Sequence, residues 1–146
     1  MGGINTGRWI AGGVVAGVIV WLLEGAASLL YMEDMEAALA AHNLASVEMS
    51  ISMVLLTVCI SLISGLVLIF LYAAARPRFG PGPKTAVIAA LTLWTGGMLL
   101  SILGYSMVGL YETSMLVMWG IIGLVELIVA ALAGGWIYRE PDAPAA

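Results

Sequence analysis

The chain alternates between long apolar runs and short polar breaks. The first run extends from Trp9 to Met32 and is interrupted only by Glu24; the others extend from about Val47 to Ala75, from Thr85 to about Met107 and from about Ser114 to Tyr138. At about 1.5 Å of rise per helical residue, runs of this length cross the roughly 30 Å hydrocarbon layer with some tilt. Each predicts a transmembrane helix. The breaks are an acidic connection from Glu33 to Ser46, a Pro/Gly-rich turn from Arg76 to Lys84 expected to end both flanking helices, and a short link around Gly109 to Thr113. The predicted fold class is all-α: a polytopic integral membrane protein with four transmembrane helices in one bundle. It forms a single domain over residues 1–146, with spans of about 9–32, 47–75, 85–107 and 114–138.

Composition sharpens this reading. Apolar residues make up 62% of the chain and charged ones 10%, whereas a soluble domain carries roughly a quarter charged. A secretory signal peptide is the competing reading of the first run, with Ala38 to Ala40 resembling a cleavage site, but the run is far longer than an h-region of about 7–15 residues. The five basic residues, Arg8, Arg76, Arg78, Lys84 and Arg139, all fall on the side that four spans assign to the termini and the second connection. Glu33, Asp34, Glu36 and Glu112 occupy the other side. By the positive-inside rule both termini are predicted to be cytoplasmic. Cys59 is the single cysteine and His42 the single histidine, so one chain can form neither a disulfide nor a bis-histidine haem site. No cofactor is expected, and nothing in the charge pattern points to nucleic acid.

Glu24 and Glu126 carry the most chemical information, because a carboxylate in hydrocarbon needs a partner, a water-filled cavity or a proton. No lysine or arginine lies in any span, so at least one of the two is expected to hold a proton at neutral pH. Glu126 falls near the middle of the fourth span and Glu24 slightly outward of the middle of the first, so the two can meet. Helical spacing puts Gly13, Gly17 and Trp21 on the face of Glu24, and Trp119 and Gly123 on the face of Glu126. Gly13 with Gly17, Ser61 with Gly65, and Gly123 are predicted helix-packing positions. Thr57 and Ser61, with Ser64, form a hydroxyl stripe on the second span. These residues make Glu24, Glu126, Ser61 and Thr57 the candidate proton or cation site.

Other features have plainer explanations. Met49, Met53 and His42 lie toward the outer side, where thioether and imidazole would suit Cu(I); methionine filling apolar gaps is the simpler reading. Arg76, Arg78 and Lys84 are expected to meet lipid phosphates or a cytoplasmic partner. Trp9, Tyr31, Tyr72, Tyr105, Tyr111, Trp136 and Tyr138 lie near span ends, as interfacial aromatic belts do.

The stretch Leu71-Tyr72-Ala73-Ala74-Ala75-Arg76-Pro77-Arg78-Phe79-Gly80-Pro81-Gly82-Pro83-Lys84-Thr85-Ala86, and the later Trp119-Gly120 to Tyr138-Arg139-Glu140, resemble a family of small four-span bacterial membrane proteins of uncharacterised activity. The resemblance implies a bacterial cytoplasmic (inner) membrane location and brings no residue roles. Without a nucleophile–base pair, phosphate loop or metal-ligand spacing, catalysis is not expected. Two function classes follow. The first is a non-enzymatic structural or accessory subunit that associates with itself or a larger membrane complex through glycine-rich helix faces. The alternative is a small proton- or cation-coupled transporter or channel built on Glu24 and Glu126.

Overall fold

A computed structural model describes residues 3–46 and 48–139. In chain order it contains α1 (Thr6–Ser28), α2 (Met32–Ala41), α3 (Ile51–Phe79), α4 (Pro83–Leu93), a π-helical segment (Trp94–Leu99), α5 (Leu100–Val108) and α6 (Thr113–Ile137), with no strand among the described residues. α4, the π segment and α5 run on as one rod, Pro83–Val108. Together with α1, α3 and α6 this gives 4 helices long and apolar enough to cross a membrane. By length and composition the chain is a multi-pass membrane protein.

The elements depart from the sequence reading at their ends. The first spanning helix stops at Ser28, and the supposed acidic connection contains a helix of its own, α2. Glu33 and Asp34 stand in its first turn, where the helix dipole favours carboxylates. Val47, the expected start of the second span, lies outside the described residues. α3 begins at Ile51, with the Ser50 hydroxyl accepting from the Met53 N–H at 3.3 Å, so Glu48 stands exposed ahead of the helix. At its other end α3 passes through Pro77 to Phe79. A proline in a final turn removes one backbone hydrogen bond without having to carry the helix further. The turn itself narrows to residues 80–82, where Gly80 (φ 81°) and Gly82 (φ 118°) adopt backbone angles open to glycine. Pro83 then opens α4 at the position where its missing N–H costs nothing.

α1 and α4 each pack against α3 and α6, and α3 also meets α6. The buried core lies at one end of this arrangement and is built from Ala16, Leu68, Ile69, Tyr72, Ala73, Ala86, Ala89, Ala90, Ala130, Ala131 and Tyr138. Small residues let backbones approach there. A Cβ on Gly12 would lie 2.6 Å from the Gly134 carbonyl, and one on Gly17 would lie 2.7 Å from the Ser61 carbonyl; Gly65 abuts the backbone of Gly13 and Gly17. The Trp9 indole donates to the Leu66 carbonyl at 2.8 Å and ties α1 to α3. Tyr72 and Tyr138 are buried rather than interfacial, stacked edge to face at 6.0 Å. The Tyr138 hydroxyl accepts from the Asn5 N–H at 3.3 Å, and the Tyr72 hydroxyl accepts from the Gly82 N–H at 3.1 Å. This end also carries Arg8, Arg76, Arg78, Lys84 and Arg139. At the opposite end α5 has no buried residue, touches α6 only lightly and makes no substantial contact with α3. The helices converge at the basic end and diverge at the acidic one.

Candidate functional site

Divergence of the helices opens a cavity of about 450 Å³ among α1, α3, the third rod and α6. Glu24 enters from α1, Ser61 and Ser64 from α3, Gly97 and Met98 from the π segment, Ser101 and Tyr105 from α5, and Trp119, Gly123 and Glu126 from α6. On α6, Trp119, Gly123 and Glu126 share one face because intervals of four and seven residues return to the same side of a helix. Gly123 is small because the Met98 side chain lies directly over it. The π segment, whose wider turn shifts the register of the rod, is anchored by the Trp94 indole donating to the Gly120 carbonyl at 2.8 Å.

The two carboxyl groups lie close enough to interact directly at the wall of this cavity. Their environments differ. Glu24 is half-buried and accepts a hydrogen bond from the Tyr31 hydroxyl, delivered from the turn that follows α1. Glu126 is 6% exposed, and its Oε1 is buried with no hydrogen-bond partner. The Trp119 indole nitrogen is buried and unpartnered in the same way. Among the described residues, no basic side chain lines the cavity.

Four aromatic rings cluster on the side of this pair away from the basic end. Trp119 sits at the centre, edge to face with Tyr111 at 4.8 Å, Tyr31 at 5.4 Å and Tyr105 at 6.4 Å; Tyr105 and Tyr111 meet each other at 5.4 Å. Burial, reinforced by the neighbouring Tyr105 phenol, pushes the Tyr111 phenol above its ordinary value. Sequence position gave these tyrosines an interfacial role; the structure gathers them onto one tryptophan. The only signal available beforehand was their shared outward position relative to the two glutamates.

The other predicted site residues separate. Ser61 lines the cavity, but Thr57 does not: its hydroxyl donates to the Val54 carbonyl at 2.8 Å and accepts from the Trp21 indole at 3.2 Å. Gly13, Gly17 and Gly65 form the α1–α3 crossing, and Gly123 serves the cavity wall. His42 ends α2, its Nδ1 2.9 Å from the Ala38 carbonyl, and lines a second depression with Asp34, Tyr111 and Glu112. Neither Met49 nor Met53 reaches that depression. Among the described residues, no three His, Cys, Asp or Glu side chains are grouped to hold a metal ion. Of the basic trio, Arg78 and Lys84 are exposed, while Arg76 is turned inward over the Tyr138 ring at 5.7 Å. Comparison with protein-family models, with curated proteins and with solved structures returned no match.

Proposed function

We propose that this chain is a small, non-enzymatic membrane protein that binds a proton or cation between Glu24 and Glu126 and passes it through the cavity as a transporter or channel. The observation that carries this reading is the convergence of both carboxyls on one cavity of about 450 Å³, with a buried Glu126 oxygen left unpartnered. Two acids serving as packing glue would satisfy each other in a dry contact, because an unpaired buried polar atom costs about 1–3 kcal/mol. Here the two carboxyls interact with each other, and one Glu126 oxygen still stays buried without a partner beside the cavity. Separation of charge along the helices supports an inner-membrane orientation with both termini in the cytoplasm, and the resemblance of the basic turn to small bacterial membrane proteins supports a bacterial source.

Proteoliposomes containing a pH-sensitive dye test the reading. The wild-type chain is expected to carry a flux that Glu24→Gln combined with Glu126→Gln abolishes. An unchanged flux in the double variant would sink it.

An accessory-subunit role is the second reading. The glycine faces expected to recruit a partner are occupied within the chain, since Gly13, Gly17 and Gly65 pack on one another. What favours association instead is an apolar groove of about 500 Å³ between α5 and α6, lined by Leu99, Leu103, Val117 and Ile121 among others. A homo-oligomer or a larger membrane complex would use that face. Native mass spectrometry of gently extracted protein separates the two readings by stoichiometry.

A further inference from the structure

Resting on the reading of the cavity as a carboxylate-centred site, we infer that its ligand is a bulky, weakly hydrated organic ammonium ion rather than a metal cation. Three observations lead there. The first is the supply of ligand atoms. A hard metal ion needs a close shell of oxygens, whereas this cavity offers two carboxyls and three serine hydroxyls spread over four walls, and the Ser101 hydroxyl is committed to the Gly97 carbonyl at 2.8 Å. A volume of about 450 Å³ is too open for those oxygens to close on a bare ion.

The second is the nature of the remaining wall. Val20, Ile60, Leu93, Ile102 and Leu127 present apolar surface, and Trp119 and Tyr105 present rings. Alkyl groups on nitrogen gain from apolar contact, and the positive charge gains from the face of an aromatic ring. The charge needed to balance such an ion is already present in Glu24 and Glu126, and among the described residues no basic side chain lines the site.

The third is the route of access. α3 and α5 border the cavity on facing sides yet make no substantial contact with each other. Ile60, Ser101 and Tyr105 are exposed along this seam. A cavity open sideways at the depth of apolar side chains admits an amphiphile from the bilayer, whereas a small ion would have to shed its water there.

The cation and protons compete for the same carboxyls, so binding is expected to tighten as pH rises and to release protons. Among the described residues, the titratable groups facing the pair are each other, Tyr31 from the turn after α1 and Tyr105 from α5, with Tyr111 packed behind them on Trp119 and Tyr105. The α3 and α4 contributions are non-titratable.

Isothermal titration calorimetry of the full chain in lipid nanodiscs, with tetrapropylammonium and with Na⁺, tests the inference. Tetrapropylammonium is expected to bind and to release protons into a weakly buffered solution, with Na⁺ failing to displace it beyond an ionic-strength effect. Glu126→Gln is expected to weaken binding at least ~tenfold. Trp119→Leu is expected to weaken it about fivefold, with Trp119→Phe retaining most of the affinity. Size-exclusion profiles matching wild type establish that each variant is folded. If Na⁺ or K⁺ binds in a Glu126-dependent way and tetrapropylammonium does not, the ammonium assignment is overturned while the cavity remains a cation site. If neither ion binds and the proteoliposome flux is also independent of the two glutamates, both fall. Binding that survives Trp119→Leu intact would overturn the aromatic part of the recognition.

Discussion

At the Glu24–Glu126 pair, the two carboxyls are chemically alike and differ only in what surrounds them. Glu24 receives the Tyr31 hydroxyl, whereas Glu126 keeps a buried oxygen without a partner. Tyr31 also packs its ring against Trp119 at 5.4 Å, so one residue both positions Glu24 and supports the aromatic cap. These two roles can be separated. Tyr31→Phe removes the donor and keeps the ring, and is expected to cost about 0.5–1.5 kcal/mol, the usual net value of one hydrogen bond. Tyr31→Ala removes the ring as well, adding about 0.5–1.5 kcal/mol for the lost aromatic contact beyond its buried area. Thermal unfolding in nanodiscs measures both. Equal losses in the two variants would mean that the ring contact contributes nothing.

Among the helices, glycine serves two different purposes that sequence spacing does not separate. Gly65 lies against the backbone of Gly13 and Gly17, so any side chain there pushes α1 and α3 apart. Gly65→Ala is expected to destabilise by about 1–3 kcal/mol, as overpacking of a close contact does. Gly104 in α5 has no atom within 4 Å of where a Cβ would lie. Gly104→Ala is therefore expected to be neutral or to stabilise by up to ~1 kcal/mol through helix propensity alone. Unfolding temperatures of the two variants are expected to move in opposite directions or, for Gly104, not at all. The Gly13–Gly17 spacing was legible in the sequence because a four-residue interval returns to one helix face. The π segment was not. Trp94 to Leu99 is as apolar as its surroundings, and the wider turn goes with tertiary contacts to α6, Met98 over Gly123 and the Trp94–Gly120 hydrogen bond. α2 was missed for a related reason: hydropathy separates what enters the bilayer from what stays out, and says nothing about whether the excluded part is helical.

Over the whole molecule, charge and packing run along the same axis. The basic residues Arg8, Arg76, Arg78, Lys84 and Arg139 cluster where the helices are tightly packed, and Glu33, Asp34, Glu36 and Glu112 lie where they diverge around the cavity. That four helices are long and apolar enough to cross a membrane could be read from the sequence, because length in hydrocarbon is nearly a geometric quantity. Whether the acids meet over a cavity or in a dry contact could not, since that depends on the splay of α5 from α3. The charge asymmetry leads to an orientation that can be measured. Green fluorescent protein fused after the last residue is expected to fluoresce in a bacterial host, and alkaline phosphatase fused at the same place to be inactive, if the positive-inside rule governs the basic end. Substituting Glu33, Asp34 and Glu36 together with lysine puts positive charge on both sides and is expected to produce a mixed population, with measurable phosphatase activity from the same fusion. An active phosphatase fusion on the unaltered chain would reverse the orientation and place the open side of the cavity toward the cytoplasm. The same two carboxyls would then draw their ligand from inside the cell.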